Sequence, residues 1–171
     1  INRGVNMGRK IIVAGGGHGG IATAMLLAQN GFDVEVYEKN EVDKMGYDWT
    51  DIFNPRAFKA IGLPMPPKEM YEYKTDMTFY STSENTAVEQ HVPESEREIK
   101  MERRDIYKYL IGHAEKAGVK FNYGYNINSA IVQGKTVIGI STDKGDIYGD
   151  LVIDACGIDS PLRNNLPSFT N

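Results

Sequence analysis

Three glycines near the start of the sequence, Gly15, Gly17 and Gly20, form a G-x-G-x-x-G motif. In this motif the first glycine permits a tight turn, and the second lets the backbone approach a pyrophosphate. The third allows a helix to pack close to a strand. Glu38 follows Gly17 by 21 residues, the spacing of a carboxylate that accepts hydrogen bonds from a ribose. Because a carboxylate would repel a 2′-phosphate, the pattern favours FAD or NAD over NADP.

The motif carries this meaning only where it joins a strand to a helix. An apolar, β-branched run from Lys10 to Ala14 precedes the glycines, a helix is predicted from His18 to Asn30, and a second strand from Phe32 to Tyr37 follows. These elements predict a βαβ unit. The alternative is that the glycines only make a turn and that Glu38 is a surface carboxylate.

The remaining reactive side chains form no catalytic constellation, so no catalytic residue is assigned. His18 is interpreted as a helix-entry residue near phosphate. His91 and His113 have no Cys, Asp or Glu at ligand spacing, so no metal site is predicted. Cys156 is interpreted as a small residue at a strand end, with a redox thiol as the alternative. As the single cysteine it fits a reducing compartment, and we expect a cytoplasmic protein.

The composition limits the classes of partner. The chain has 171 residues, 41% of them hydrophobic, enough for one domain or for one domain with part of a second. A net charge of −4 argues against nucleic acid. No apolar run approaches the roughly 18 to 20 residues of a membrane-spanning helix, so no transmembrane segment is predicted. Residues 1–6, before Met7, are interpreted as leader or added residues outside the fold.

The rest of the chain alternates between helical and strand patterns. A short helix ending near Ile61 leads into a proline-rich turn, after which 77–102 predicts antiparallel strands. A helix from Arg104 to Ala117 feeds a strand, a β-meander and a final apolar strand, LVIDA. The sequence therefore predicts an α/β protein.

Four segments in this order resemble the FAD-dependent oxidoreductases that include p-hydroxybenzoate hydroxylase and the geranylgeranyl reductases. The segments are IIVAGGGHGGIATAMLLAQNGFDVEVYEKN, NPRAFKAIGLP, MERRDIYKYLIGHAEKAGVKF and GDIYGDLVIDACGIDSPLR. The resemblance implies a Rossmann-like FAD-binding fold, a βαβ unit with a β-meander, over 7–64 and 103–171, incomplete at its C-terminal end. It implies that 65–102 is a strand-rich insertion and forms part of a substrate domain.

The resemblance also implies the residues that contact FAD. Arg103 would lie near the pyrophosphate or ribitol, and the backbone near Ile127 would meet the adenine. In the loop 46–53, Asp48, Trp49 and Asp51 would line the flavin ring, or Trp49 would instead fill the core. The complete expected cofactor set is Gly15, Gly17, His18, Gly19, Gly20, Glu38, Lys39, Arg103, Ile127, Ala155 and Gly157.

The implied function is an FAD-dependent oxidoreductase of reductase or dehydrogenase type. Cys156 stands where the hydroxylases carry the aspartate of an Asp-Gly pair, which disfavours a flavin monooxygenase of aromatic substrates. An NAD-binding Rossmann module and a catalytically silent nucleotide-binding fragment are two further hypotheses for this chain. Expected partners are a small-molecule or lipid-like substrate and NAD(P)H or another electron donor. Unpaired strand edges predict a homodimer.

Overall fold

A computed structural model describes residues 8–166 of the protein. The predicted leader, residues 1–6, and Met7 lie outside the described residues. The α-helices within residues 8–166 are α1 His18–Gln29, α2 Arg56–Ala60, α3 Arg103–Lys116 and α4 Pro161–Asn164. The strands are β1 Lys10–Ala14, β2 Asp33–Glu38, β3 Thr50–Phe53, β4 Tyr71–Tyr73, β5 Asp76–Tyr80, β6 Ala87–His91, β7 Ile99–Glu102, β8 Lys120–Tyr123, β9 Ile127–Gln133, β10 Thr136–Thr142, β11 Gly145–Tyr148 and β12 Leu151–Asp154.

The chain divides into two compact units, and the first contains the βαβ unit. This unit holds the described residues up to Met45 and those from Tyr107 onwards. Its central sheet is parallel, with the strand order β12-β1-β2-β8. Because a parallel strand in the interior of a sheet is covered on both faces, it reads as a continuous apolar run, and β1 is buried from Ile11 to Ala14.

A second sheet in the same unit is the meander β11-β10-β9, which is antiparallel. A buried cluster lies where this sheet meets the parallel one, and its members are Ile12, Ala14, Tyr37, Ile140 and Leu162. The helix α1 buries Gly20, Ile21, Ala24 and Met25, so small residues alternate with large ones on its packed face. The predicted α/β fold with a Rossmann-like sheet and a meander is confirmed.

The second unit spans Gly46–Ile106 and is built from antiparallel strands. One sheet has the order β3-β7-β4, and β5 and β6 form a separate two-stranded ribbon. In the sheet β3-β7-β4, Ile99 and Met101 on the central strand β7 are buried. The functional domain ranges 7–64, 103–171 and 65–102 stay a prediction.

Predicted element ends differ from the structure by small shifts. The helix α1 stops at Gln29, one residue early, because Asn30 leaves helical geometry with φ −93° and ψ 10°. Two strands were not predicted, β3 within the loop 46–53 and β4 at Tyr71–Tyr73. Both are short and gain their hydrogen-bond partners from β7, a tertiary pairing that local pattern does not show. Among the described residues, none of the helices has the length and apolarity to cross a membrane.

Candidate dinucleotide-binding cleft

The candidate site is a cleft at the carboxyl ends of β1 and β12. From β1 the strand order runs through β2 to β8, whereas β12 lies on the opposite side of β1. Ligands of open α/β sheets bind at such a reversal, beyond the carboxyl ends of the strands. The cleft has a volume of about 400 Å³, and its lining residues are Gly17, Gly19, Gly20, Thr23, Ile153, Asp154, Ala155, Gly157 and Arg163.

At two of the motif positions a neighbouring backbone carbonyl lies so close that only glycine fits. Gly15 has φ 103°, and a Cβ on it would lie 2.4 Å from the carbonyl oxygen of Ala155. A Cβ on Gly20 would lie 2.1 Å from the carbonyl oxygen of Gly15. By contrast, Cβ atoms on Gly17 and Gly19 would meet nothing within 4 Å, so their bare backbone faces the open cleft. This arrangement fits a group that must approach the main chain closely, as a pyrophosphate does.

The helix α1 presents its N-terminal end at this loop. Its first intrahelical hydrogen bond joins the N–H of Ile21 to the carbonyl oxygen of Gly17 at 2.9 Å. The first turn contains no acidic side chain, and Gly17 offers no side-chain cap. The positive end of the helix dipole is therefore not neutralised by its own first turn, which suits an anion.

His18 begins α1, and its ring stacks on Tyr107 with centroids 4.5 Å apart and an interplanar angle of 26°. The imidazole is therefore a packing contact between α1 and α3. This position agrees with its interpretation as a helix-entry residue. Its contact with a phosphate stays a prediction.

Glu38 ties the glycine loop to the end of β2. Its side chain is buried; Oε2 accepts the N–H of Gly16 at 2.8 Å, and Oε1 accepts the N–H of Asn40 at 2.9 Å. A Cβ on Gly16 would lie 3.1 Å from the methyl carbon of Met45 and 3.2 Å from Glu38. The carboxylate is thus fixed in place by backbone donors, and the exposed Lys39 follows it directly.

The second wall of the cleft is the turn after β12. Asp154 accepts the N–H of Cys156 through Oδ1 at 3.1 Å and the hydroxyl of Ser160 through Oδ2 at 2.6 Å. Ser160 is fully buried and caps α4 by accepting the N–H of Arg163 at 3.3 Å. The guanidinium of Arg163 donates to the carbonyl oxygen of Ile158. One carboxylate and one hydroxyl therefore set the shape of this turn.

Cys156 lies in that wall, with its thiol 3.3 Å from the carbonyl oxygen of Ala14. Burial, together with the negative charge of Asp154, raises the pKa of the thiol to about 12. The thiol is therefore protonated at neutral pH. Since the thiolate is the reactive form, this environment favours the structural interpretation of Cys156 over a redox thiol.

The remaining predicted contacts lie in the second unit. Arg103 donates to Asp51 through two nitrogens, at 2.8 Å and 2.5 Å, and its guanidinium carbon lies 4.3 Å from the ring centroid of Tyr47. Asp48 pairs with Arg104 at 2.9 Å. Trp49 is 57% exposed, so its interpretation as a core side chain is wrong.

The structure brings Gly17, Gly19, Gly20, Ala155 and Gly157 to one cleft, with Gly15 packed directly behind it. Ile127 begins β9 and packs on the buried cluster of the first unit. The lining residues absent from the predicted cofactor set are Thr23, Ile153, Asp154 and Arg163. Ser160 followed by Pro161 is an N-cap signature that could have located the turn after β12.

The parallel sheet and the glycine loop define a Rossmann-like fold. Residues 13–56 match the family model of the NAD(P)-binding Rossmann-like domain. The chain is 27% identical over 165 residues to digeranylgeranylglycerophospholipid reductase of Haloferax volcanii, covering 91% of this chain and 37% of that protein. It is 26% identical over 167 residues to monooxygenase CTB7 of Cercospora beticola, covering 91% of this chain and 40% of that protein.

A solved structure shows the same fold. The crystal structure of PqsL of Pseudomonas aeruginosa in complex with 2-aminobenzoylacetate has a TM-score of 0.77 at 18% identity, over 92% of this chain and 45% of that one. The chain thus spans about two fifths of the length of the proteins that it resembles. These similarities agree with the resemblance to FAD-dependent oxidoreductases that the sequence carries.

Proposed function

We propose that this chain is the FAD-binding portion of an FAD-dependent oxidoreductase of reductase or dehydrogenase type. The observation that carries the proposal is that the glycines of the loop fall into two groups, which differ in the space available for a Cβ. Gly15 and Gly20 have no space for a Cβ, whereas Gly17 and Gly19 open onto the cleft beside the start of α1. A dinucleotide pyrophosphate needs such a combination of a tight turn, open backbone and a helix N-terminus.

The residues of the first unit divide the binding task. The backbone of Gly17 to Gly20 and the positive end of α1 hold the pyrophosphate, while Glu38 accepts hydrogen bonds from the adenosine ribose. Each carboxylate oxygen of Glu38 accepts one backbone N–H, so lone pairs are left for a ribose hydroxyl. The bound flavin supplies hydride and electron transfer. The protein binds and orients it, and we assign the adenine contact to the backbone near Ile127.

Arg103 is proposed to support the flavin end of the cofactor. Asp51 orients the guanidinium of Arg103, which lies over the exposed ring of Tyr47, and the exposed ring of Trp49 lies 6.5 Å from that of Tyr47. These groups leave an aromatic surface beside a fixed cation, which suits a planar anionic or electron-poor ring. The same proposal includes a small-molecule or lipid-like substrate and NAD(P)H or another electron donor. It also includes a homodimer and a cytoplasmic location.

A flavin monooxygenase is the second candidate, because one relative is a monooxygenase over nearly the whole of this chain. Cys156 supports the reductase type. In the hydroxylases of this superfamily an aspartate is expected at that position, whereas here an uncharged thiol is hydrogen-bonded to the carbonyl of Ala14. The two candidates differ in whether reoxidation of the reduced cofactor consumes oxygen.

The test is a spectrum of the purified protein, in this form and in a longer parental chain, with extraction of any bound yellow cofactor. We expect oxidised-flavin bands and release of FAD from the longer chain, and tighter binding of FAD than of NAD in parallel titrations. A longer chain that stays colourless after addition of FAD but binds NAD contradicts the proposal. Rapid NADPH oxidation with oxygen uptake selects the monooxygenase.

A further inference from the structure

The turn after β12 is held at both of its ends by one side chain. Asp154 accepts the N–H of Cys156 at 3.1 Å and the hydroxyl of Ser160 at 2.6 Å, so its two oxygens close the turn of 155–159. The N–H of Ala155 also donates to the carbonyl oxygen of Ala14 at 2.8 Å, and the guanidinium of Arg163 donates to the carbonyl oxygen of Ile158. Apolar burial contributes little at the tip, because Ile158 is 87% exposed and Asp159 is also exposed. The turn therefore depends on hydrogen bonds rather than on apolar burial.

The position of this turn determines the width of the cleft. Ala155 and Gly157 line the cleft opposite Gly17 and Gly19. The carbonyl oxygen of Ala155 lies 2.4 Å from the Cβ position of Gly15, and its methyl group 3.1 Å from that of Gly20. The turn is already as close to the glycine loop as the two backbones allow. It can only move away from the loop, which would break the hydrogen bond from the N–H of Ala155 to the carbonyl oxygen of Ala14. The Asp154 hydrogen bonds fix the conformation of the turn that carries Ala155.

We propose that Asp154 is a positioning residue that holds the second wall of the cleft against the glycine loop before the dinucleotide binds. This inference rests on the proposed function of the cleft. Both oxygens of Asp154 are directed at groups of its own turn, so its charge is engaged by the protein and is not aimed at a pyrophosphate. Ser160, which is buried and also caps α4, transmits the constraint to Arg163.

The test compares Asp154→Asn and Asp154→Ala with the matched control Asp150→Ala. Asp150 accepts the N–H of Lys10 at 2.8 Å in the same sheet, but it is not among the lining residues of the cleft. An asparagine can still accept the N–H of Cys156 and can donate to the Ser160 oxygen, whereas an alanine can do neither. Ser160→Ala removes one of the two bonds and serves as a milder variant if Asp154→Ala does not fold.

The first readout needs no cofactor and is amide hydrogen–deuterium exchange over 155–160. We expect faster exchange in Asp154→Ala and in Ser160→Ala, and no change in Asp154→Asn or Asp150→Ala. Alkylation of Cys156 by iodoacetamide is a second readout. Asp154→Asn should make the thiol more reactive, because the negative charge that raises the pKa of the thiol is gone. A more reactive thiol together with unchanged exchange over 155–160 would show that the substitution removed charge without opening the turn.

The third readout is FAD affinity. Loss of the hydrogen bonds to the Asp154 carboxylate predicts roughly tenfold or greater weakening of FAD binding in Asp154→Ala, and a change within about threefold in Asp154→Asn. Equal losses in both variants would overturn the inference, since the charge itself would then matter. Unchanged exchange in Asp154→Ala would also overturn it. A wild-type protein that binds no FAD fails the proposed function, and exchange over 155–160 then decides alone whether Asp154 holds the wall.

Discussion

The strand β1 and the ribbon of β5 and β6 both carry apolar side chains, but in opposite environments. Ile12, Val13 and Ala14 on β1 are fully buried, because β1 lies inside the parallel sheet and is covered by the meander on one face and by α1 on the other. In the ribbon, Phe79 faces Val88 across the strand pair, and these side chains are 53% and 61% exposed. Two strands alone bury little apolar surface, so the same residue types stabilise the fold only where further layers cover them.

The largest expected effect on stability is at the buried strand β1. Ile12→Ala should lower the free energy of unfolding by about 2 to 5 kcal/mol, because it removes transfer energy and leaves a cavity. Urea unfolding followed by circular dichroism measures the change. A loss below about 1 kcal/mol would mean that β1 is less tightly packed than its burial implies.

The next effect is expected at the glycine loop. Gly20→Ala places a Cβ 2.1 Å from the carbonyl oxygen of Gly15, so the loop or α1 must shift. We expect a loss of about 1 to 3 kcal/mol in stability and no detectable binding of FAD. The control is Gly19→Ala, whose Cβ meets nothing within 4 Å. Similar losses of stability in both variants would contradict the assigned crowding at Gly20.

A smaller effect, dependent on pH, is expected at Cys156. Burial raises the pKa of its thiol from 9.0 to about 12, so the folded state retains a proton that the unfolded state has lost at intermediate pH. This contribution is complete below about pH 9 and is lost as the pH rises towards 12. The stability difference between wild type and Cys156→Ala should therefore stay constant below about pH 9 and shift against wild type as the pH rises above it, measured by urea unfolding. A difference in the free energy of unfolding that stays constant with pH would contradict this prediction.

The smallest effect is expected in the ribbon. Val88→Ala should change the free energy of unfolding by no more than about 0.5 kcal/mol, because the side chain is 61% exposed. The same urea experiment as for Ile12→Ala gives a direct comparison. A large loss at Val88 in a longer parental chain but not in this one would identify the ribbon as the surface that a further strand covers.

The parallel sheet was predictable because its signals are local. The run Lys10–Ala14 and the glycines that follow define a strand, a turn and a helix start within a few residues. Glu38 was also predictable, since the spacing of a βαβ unit is nearly fixed. Strands β3 and β4 were not, because their short segments acquire a partner only when β7 is in place.

The second wall of the cleft shows the same limit for the site. Asp154 is distant from the glycines in sequence and becomes their neighbour only because β12 pairs with β1. Its hydrogen bonds to Cys156 and Ser160 depend on the conformation of the turn, which the sequence indicates only through the Ser-Pro start of α4. The predicted roles of Arg103 and Ile127 rest on resemblance and stay predictions.

The pairing of β1 with β12 also has a consequence for synthesis on the ribosome. Ile11 pairs with Leu151, so the parallel sheet cannot be completed until nearly the whole of this chain has left the exit tunnel. The stretch Gly46–Ile106 is continuous and can fold earlier. Until β12 arrives, one edge of β1 is open, and a nascent chain stalled before Leu151 should be a substrate for chaperones that recognise unpaired apolar strands.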